Sequence, residues 1–183
     1  MRQENENKSS RNEIDNLISL LAKLPGFGKR SARRAVLHMV TKRESLMQPI
    51  AHLMSEVYRR VNSCTDCGNI TTDTKCIICS DPRRDSTKLC VVSDVSDLWA
   101  MERAQTFKGK FYVLGGLLSA LDGVDPDSLK IPYLIDRIKI EGIQEVILAL
   151  SATINGQTTA HYIADQIIDS DVKVTTLANG VPI

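Results

Sequence analysis

The stretch Cys64-Thr-Asp-Cys67-Gly-Asn-Ile-Thr-Thr-Asp-Thr-Lys-Cys76-Ile-Ile-Cys79 holds four of the five cysteines of the 183-residue chain. Its Cys-x2-Cys-x8-Cys-x2-Cys spacing gives two pairs of thiolates, each able to bind one side of a tetrahedral Zn²⁺. The spacing therefore predicts a zinc ribbon with Cys64, Cys67, Cys76 and Cys79 as the ligands. Four cysteine ligands leave no coordination position for water, so the predicted role of the metal is structural.

Other uses of these cysteines fit the pattern less well but stay open. A redox pair needs only one Cys-x-x-Cys next to a βαβ unit, and a disulfide framework suits a small secreted domain. Four cysteines also ligate iron–sulfur clusters, although the even pairing and the polar ribbon favour zinc. The fifth cysteine, Cys90, lies in a predicted buried strand and is expected to behave as a small apolar side chain.

The segments on the two sides of the ribbon differ in charge. Residues 1–63 contain 12 Lys and Arg against 6 Asp and Glu, whereas residues 89–183 contain 7 against 12. The ribbon itself, taken as residues 64–88, is balanced with 4 of each sign. A phosphate-binding surface is therefore expected in the first third of the chain, although the net charge of the whole chain is only +1.

Upstream of the ribbon, apolar residues recur with a helical period. The pattern predicts helices over residues 14–24, from Ser31 onward, and over residues 48–61, with a tight turn at Pro25-Gly26-Phe27-Gly28 between the first two. Phe27 is expected to fill the core between these helices. The first third of the chain is therefore predicted to be entirely helical.

The turn at Pro25 is followed by four cations. Two glycines allow a sharp turn before a helix, and the free amides of the first helical turn attract phosphate oxygens. This pattern, a helix-hairpin-helix, predicts contacts to the DNA backbone that do not depend on base sequence. The predicted contact residues are Gly26, Gly28, Lys29, Arg30, Arg33 and Arg34. The alternative is an ordinary helical hairpin whose cations are only solvated.

Downstream of a predicted loop at residues 81–86, short apolar runs alternate with helical patterns. The runs at 89–92, 111–114, 145–150 and 172–177 predict strands, and residues 96–106, 131–141 and 157–169 predict helices. Continuous β-branched runs separated by helices indicate a mostly parallel sheet that is covered on both faces. The predicted fold class is α+β, in three modules: helical residues 1–63, ribbon residues 64–88 and α/β residues 89–183.

Three motifs in this order resemble the RecR family of bacterial recombination mediators. They are LPGFGKRSAR, the cysteine ribbon followed by SDPRR, and the segment LCVVSDVSDLWAMER. The resemblance extends from about Ile14 to Ile183 and includes GGLLSALDGVDPDSL, EVILALSATINGQTTAHYIAD and LANGVPI. It implies that the α/β module is a Toprim domain. It also implies a non-enzymatic mediator that helps to load a recombinase at gapped DNA, with RecO and RecF as partners and a homo-oligomer, a ring-like tetramer, as its assembly.

The predicted Toprim module departs from the catalytic pattern of that fold. Catalytic Toprim enzymes bind Mg²⁺ with a Glu after the first strand and an Asp-x-Asp after a later one. Here the first strand leads into Ser93-Asp94, and Ser151-Ala-Thr153 follows the strand at 145–150. Asp125-Pro-Asp127 has the Asp-x-Asp spelling but is expected to form a turn. The alternatives are an Mg²⁺-dependent nuclease or primase using Asp94, Asp97 and Asp125, and a zinc-stabilised assembly module without DNA binding.

The two ends of the chain suggest a location and a difference from the family. Residues 1–12 are polar and precede no apolar run of the secretory type, which favours the cytoplasm. The resemblance implies that this is the cytoplasm of a bacterium, close to the nucleoid. No apolar run approaches the roughly 20 residues that span a bilayer, so no membrane contact is expected. The resemblance implies a further acidic, glycine-rich stretch beyond Ile183, so the chain is expected to be truncated relative to the family.

Overall fold

The computed structural model describes residues 12–177, which form two compact units divided between Arg59 and Arg60. Residues 1–11, and residues 178–183 with most of the LANGVPI motif, lie outside the described residues. The expectations about the polar tail and about truncation at the C-terminus concern these segments. None of the helices within residues 12–177 combines the length and the apolar composition that a membrane span requires.

The first unit is helical, as predicted. Helix α1 covers Glu13–Leu21, α2 covers Lys29–Thr41 and α3 covers Gln48–Arg60. Helix α2 begins two residues before the predicted start because Gly28 adopts the extended N-cap conformation. A π-helical turn at Arg43–Met47 joins α2 to α3, with the amide of Met47 donating to the carbonyl oxygen of Lys42. The apolar period gave no sign of this turn, because a single wide turn is too short to show a period of its own.

The second unit is built on a four-stranded parallel sheet. Strand β3 covers Asp85–Val92, β4 covers Gly109–Val113, β5 covers Glu145–Ala149 and β6 covers Lys173–Thr176. The strand order is β4-β3-β5-β6, and each neighbouring pair is parallel. The connecting helices are α5 at Val95–Ala104, α6 at Ile131–Ile140 and α7 at Ile154–Gln166. The predicted parallel sheet is confirmed, and its strand and helix boundaries differ from the prediction by a few residues.

Strand β3 begins earlier than its apolar run, so the prediction of a loop through residue 86 was wrong at its end. Asp85 pairs with Gly109 and Leu89 pairs with Lys110, with a shift of register between the two pairs. The carbonyl oxygen of Thr87 accepts a hydrogen bond from the amide of Gln144 at 2.8 Å. The polar start of β3 is held by backbone pairing and by the Asp85 carboxylate, which accepts from the amide and the hydroxyl of Thr87. Apolar periodicity cannot reveal either interaction.

The side chains of β3 alternate between the two faces of the sheet. Leu89 and Val91 pack with the apolar residues of α6 and α7. Cys90 and Val92 point to the other face, where they pack with Leu98 of α5 and with the cysteine ribbon. Both faces are therefore covered, and the ribbon forms part of one covering layer. Cys90 is fully buried there, as its predicted apolar role requires.

The ribbon has short elements of its own. Strands β1 at Asn62–Ser63 and β2 at Ile70–Thr71 form an antiparallel pair, and the one-turn helix α4 covers Ile77–Ser80. These elements belong to the same compact unit as the sheet. The α+β class is confirmed, with N-terminal helices, a four-cysteine cluster and a parallel sheet. The division into three modules at residues 63/64 and 88/89 stays a prediction.

Candidate functional site

The four ribbon cysteines come together as the spacing predicts. Their sulfur atoms all lie within 4.8 Å of one another, and the Sγ atoms of Cys67 and Cys76 are 3.6 Å apart. Tetrahedral ligation with Zn–S bonds of about 2.3 Å places sulfur atoms about 3.8 Å apart. The donor set and its spacing therefore fit a four-coordinate metal ion. Within residues 12–177, no other group of three or more His, Cys, Asp or Glu side chains is arranged in this way.

Backbone amides donate to two of these sulfur atoms. The amide of Cys76 donates to Cys64 Sγ at 3.3 Å, and the amide of Asn69 donates to Cys67 Sγ at 3.5 Å. The turn of the first Cys-x-x-Cys pair is closed by the amide of Gly68, which donates to the Cys64 carbonyl oxygen at 2.9 Å. Gly68 has φ +77°, a conformation that favours glycine. Amide donors of this kind orient thiolate ligands around a metal.

The proximity of the sulfur atoms alters their acidity. The hydrogen bond with Cys76 raises the pKa of the Cys67 thiol to about 12, with burial acting in the same direction. Hydrogen bonds with Cys67 and Cys76, and then burial, raise the pKa of Cys79. At Cys67 and Cys79 these shifts favour the protonated thiol, whereas a coordinated cation deprotonates its thiol ligands outright. The four residues that would hold Zn²⁺ are Cys64, Cys67, Cys76 and Cys79, and the ion would supply a cross-link rather than a reaction.

Three groups from the α/β part of the second unit hold the first Cys-x-x-Cys pair. The guanidinium of Arg137 donates to the Asp66 carbonyl oxygen at 2.6 Å, and the amide of Val113 donates to the Cys67 carbonyl oxygen at 2.8 Å. The indole of Trp99 donates to Asn69 Oδ1 at 2.9 Å. Only 6% of Arg137 is exposed, and its Nε also donates to Glu141 at 3.0 Å.

Sequence reasoning missed Arg137, Asn69 and Trp99. An arginine on an amphipathic helix reads as a solvated cation, and only the tertiary fold carries it 71 residues back along the chain to Asp66. The position of Asn69 directly after the Cys-x-x-Cys-Gly turn was a usable signal, because a polar side chain there lies beside the metal ligands.

The turn between α1 and α2 has the geometry that the two glycines predict. Gly26 has φ +77°, and the amide of Phe27 donates to the Leu24 carbonyl oxygen at 3.0 Å. Gly28 is the N-cap of α2 and has no side chain to bind the first amides of the helix. These amides lack intrahelical acceptors, so the positive end of α2 faces an exposed turn.

All four cations after the turn are exposed. Lys29, Arg30, Arg33 and Arg34 make no ion pair within residues 12–177. Arg59 of α3, by contrast, pairs with Glu56 at 2.8 Å. The cations of α2 therefore give a positive surface at the N-terminal end of the helix that no ion pair among the described residues neutralises.

Phe27 does not fill a core, contrary to the prediction. It is 37% exposed and borders a shallow depression on α2 together with Arg30, Arg34 and His38. The side chains that are buried on α2 are Ala32 and Val36, one helical turn apart. The apolar period identified the buried face of α2, but Phe27 lies in the turn before the helix and so outside that period.

The carboxylates of the enzymatic alternative have local partners and do not cluster. Asp94 caps α5 by accepting from the amide of Ser96 at 2.8 Å, and Asp97 accepts from the amide of Asp94 at 3.1 Å. Asp125 accepts from the amide of Ser128 at 2.8 Å, so it forms the predicted turn. Within residues 12–177, these carboxylates form no group that could hold a metal.

Known proteins share both the motifs and their order. Residues 14–58 match the RecR helix-hairpin-helix family, and residues 87–178 match the Toprim domain family. Recombination protein RecR of Ruegeria pomeroyi is 60% identical over 174 residues, which are 95% of this chain and 87% of that protein. Recombination protein RecR of a second Ruegeria species is 58% identical and that of Rhizobium johnstonii 55% identical, each over 93% of this chain and 85% of the relative.

These identities extend over both units and over the ribbon between the two matched segments. The chain therefore belongs to the RecR family of recombination proteins, with a helix-hairpin-helix in its N-terminal helices and a Toprim domain that contains the parallel sheet.

Proposed function

We propose that this protein is a DNA-binding recombination mediator without catalytic activity of its own, which helps to load a recombinase at gapped DNA. The observation that carries the proposal is the N-terminal end of α2. It combines uncapped amides at an exposed turn with four exposed cations that have no ion pair among the described residues. Backbone amides and unpaired cations at a helix N-terminus suit phosphate oxygens and do not read bases.

The residues proposed to contact DNA are those of the turn and of the first two turns of α2. Gly26 and Gly28 bring the backbone close to a phosphate, and the cations supply charge around it. The cations are Lys29, Arg30, Arg33 and Arg34. Binding of this kind is independent of sequence and weakens steeply with salt, because each neutralised phosphate releases counterions.

The ribbon is proposed to bind one structural Zn²⁺ through Cys64, Cys67, Cys76 and Cys79. Four sulfur atoms within 4.8 Å of one another, two of them accepting from backbone amides, support this assignment. The metal would fix a segment whose strands are two residues long and whose helix is a single turn. We propose three modules, residues 1–63, 64–88 and 89–183. The middle one, the ribbon, would then join the other two.

The absence of catalysis is proposed from the use of the carboxylates. In the Toprim domain, Asp94 and Asp97 cap α5, and Asp125 forms a turn with Ser128. Their oxygen atoms already accept local hydrogen bonds, which a catalytic Mg²⁺ would have to displace. The segment after β5 contains Ser151, Ala152 and Thr153 and so offers no carboxylate.

Assembly and partners are proposed from the family and from exposed apolar surface. We propose a homo-oligomer, a ring-like tetramer, that acts with RecO and RecF in the bacterial cytoplasm near the nucleoid. Helix α3 supports an assembly, because it carries an exposed apolar stripe that continues one residue past its end. The stripe comprises Ile50, Leu53, Met54, Val57, Tyr58 and Val61. Contiguous apolar surface of this kind marks an interaction site.

A salt titration of DNA affinity tests the proposed function. The double variant Arg30→Ala/Arg34→Ala should bind single-stranded and duplex DNA more weakly at every sequence tested. The slope of log affinity against log salt should fall by about two, because two phosphate contacts are lost. Fluorescence anisotropy with labelled oligonucleotides measures both quantities.

The control removes two exposed cations from the second unit in the variant Arg103→Ala/Lys139→Ala, which has the same net charge. It should keep the wild-type slope, because its cations are distant in sequence from the α2 turn. Equal loss in both double variants would mean that only overall charge matters, and an unchanged slope in Arg30→Ala/Arg34→Ala would refute the phosphate contacts. Cleavage or priming of DNA with Mg²⁺ that is lost in Asp94→Ala would instead support the enzymatic alternative.

A further inference from the structure

The two halves of the cysteine cluster are anchored to the protein in different ways. The first half is the turn Cys64–Asn69, here called the inner knuckle, and the second is Cys76–Ser80, here called the outer knuckle. Both cysteines of the inner knuckle are buried, with at most 3% of either residue exposed. In the outer knuckle Cys76 is buried, but Cys79 is partly exposed.

The inner knuckle is bound by three hydrogen-bond donors of the Toprim domain. Its donors are a backbone amide of β4, an indole on α5 and the buried guanidinium of Arg137 on α6. Arg137 also donates to the carbonyl oxygen of Phe111 in β4 and to Glu141, so its position is set by three acceptors. The inner knuckle therefore has a scaffold that does not depend on a metal.

The outer knuckle has a weaker connection to the same domain. Among the described residues of the α/β part, the donor to its backbone carbonyl oxygens is one flexible group, Lys110 Nζ, at 2.8 Å for Cys79 and at 3.5 Å for Ile78. The side chain of Ile78 is buried, whereas 85% of its neighbour Ile77 is exposed. A lysine side chain retains more freedom than a backbone amide or a buried guanidinium, so this knuckle is freer to move.

We infer that the metal site is loaded and emptied in a fixed order. The inner knuckle, held in place by Arg137, receives Zn²⁺ first, and the outer knuckle closes over the ion. Release runs in reverse, with Cys79 and then Cys76 leaving the ion while Cys64 and Cys67 still hold it. This inference rests on the proposed zinc site and adds Arg137 as the residue that positions its first half.

The physical reason for the order is preorganisation. A half-site that already has its bound geometry loses little conformational freedom on binding, so it captures the ion more readily than a half-site that must be ordered. Loss begins at the ligand that a competing chelator can reach, and Cys79 is the ligand with solvent access. Outer groups that orient ligands typically change metal affinity by about 10- to 100-fold.

Pulsed alkylation of the zinc-loaded full chain tests the order. Intact mass measured under native conditions first establishes whether one Zn²⁺ is bound. A chelator then removes the metal slowly while short pulses of N-ethylmaleimide mark free thiols, and peptide mapping gives the rate at each cysteine. We expect Cys79 and Cys76 to react first, and Cys64 and Cys67 to react in a later phase.

Cys90 provides an internal reference in the same experiment. It is fully buried on the sheet and is not part of the cluster, so it reacts only when the domain unfolds. Cys90 should stay unmodified throughout the first phase. If Cys90 reacts together with Cys79, metal loss is global unfolding and the inference is wrong.

Variants of the two anchors separate their roles. Arg137→Met should lower zinc affinity by about 10- to 100-fold and abolish the order, so that all four ligands react together. Arg137→Lys keeps a buried hydrogen-bond donor and should retain part of the order. It provides the test of Arg137 if the Arg137→Met variant folds poorly. Lys110→Met should speed the first phase and leave the order unchanged. Lys139→Met and Lys108→Met, exposed neighbours of the two anchors, are the matched controls and should behave as wild type.

The outcomes distinguish this inference from the proposed zinc site. A chain that binds no Zn²⁺ contradicts both. A chain that binds Zn²⁺ but reacts first at Cys64 or Cys67, or at all four ligands at one rate in the wild type, keeps the zinc site and overturns the order. Retention of the wild-type order in a folded Arg137→Met variant overturns the role of Arg137.

Discussion

Asp94 lies two residues after the end of β3, the first long strand of the sheet, and is one of the carboxylates of the enzymatic alternative. Here its side chain accepts from the amide of Ser96, while its own amide donates to Asp97. This reciprocal capping box satisfies amides that the first turn of α5 would otherwise leave without partners. The pair is therefore explained by the start of a helix, without a metal.

Removal of this cap should cost stability. The substitution Asp94→Ala should lower the free energy of unfolding by about 1 kcal/mol, the usual cost of losing an N-cap side chain. Urea unfolding followed by circular dichroism measures the change. DNA affinity should stay as in the wild type, because α5 is in the second unit and the proposed DNA contacts are in the first. Unchanged stability would show that the capping bonds contribute nothing.

The loss of unfolding free energy caused by Asp94→Ala should also depend on pH. The amide of Ser96 lowers the pKa of Asp94 below its ordinary value because it stabilises the carboxylate. A group whose pKa is lower in the folded state stabilises the protein fully above its unfolded pKa and loses that effect as pH falls through the folded value. The difference between wild type and Asp94→Ala should therefore be constant near neutrality and shrink below about pH 4.

At the level of residues, the sequence predicted which side chains act together better than it predicted which side chains are buried or exposed. The four cysteines came together, and Asp125 formed its turn, because short-range spacing determines both. Phe27 was placed wrongly because an apolar side chain in a turn has no period that shows which way it points. Arg137 was missed because its acceptor at Asp66 is set by the packing of α6 against the ribbon.

At the level of elements, the start of α7 is constrained by a close approach to the loop that precedes it. A Cβ atom added to Gly156 would overlap the carbonyl oxygen of Ser151 and lie 2.8 Å from its hydroxyl oxygen. Gly156 is buried in the first turn of the helix, where its amide donates to Thr153 Oγ1 at 3.2 Å. The backbone at Ser151 cannot move away cheaply, because the loop leads directly from β5.

Because of this contact, the effect of Gly156→Ala on stability should be opposite to the one that helix propensity predicts. In an open helix, replacing glycine by alanine stabilises by about 1 kcal/mol. Gly156→Ala should instead destabilise the domain by about 1–3 kcal/mol, the usual cost of overpacking. Denaturant midpoints measure the change. The exposed neighbour variant Gln157→Ala serves as control and should stay within about 0.5 kcal/mol of wild type. A stabilised Gly156→Ala variant would show that the close approach relaxes freely.

Apolar patterning predicted the long elements and missed the short ones. Strands β4, β5 and β6 and helices α5 to α7 appear within a few residues of their expected ends, because each is long enough to show a period. The π-helical turn at Arg43–Met47 and the helix α4 are too short for that. The polar start of β3 was missed because backbone pairing across a bulge holds it in the sheet.

At the scale of the whole molecule, charge and apolar surface are distributed unequally. The first third is basic and the last half is acidic, which agrees with the proposed phosphate contacts on α2. In the first unit, the residues that are fully buried within the described chain are Ala32 and Val36, both on α2. The second unit instead has a large core on each face of its sheet. Within residues 12–177, the helical unit therefore leaves many of its apolar side chains exposed.

Substitutions in the apolar stripe of α3 test whether this exposed surface joins copies of the chain. Its residues recur three or four positions apart, and Leu53 and Tyr58 are 62% and 84% exposed. If α3 joins copies of the chain, Leu53→Lys/Val57→Lys should lower the solution mass from a multiple of 20.3 kDa toward a single chain, as sedimentation measures it. His52→Lys/Ser55→Lys adds the same number of lysines to the opposite face of α3 and should keep the wild-type mass. A wild type that is strictly monomeric at micromolar concentration would contradict the assembly, whereas dissociation of both variants would show that added charge alone disrupts it.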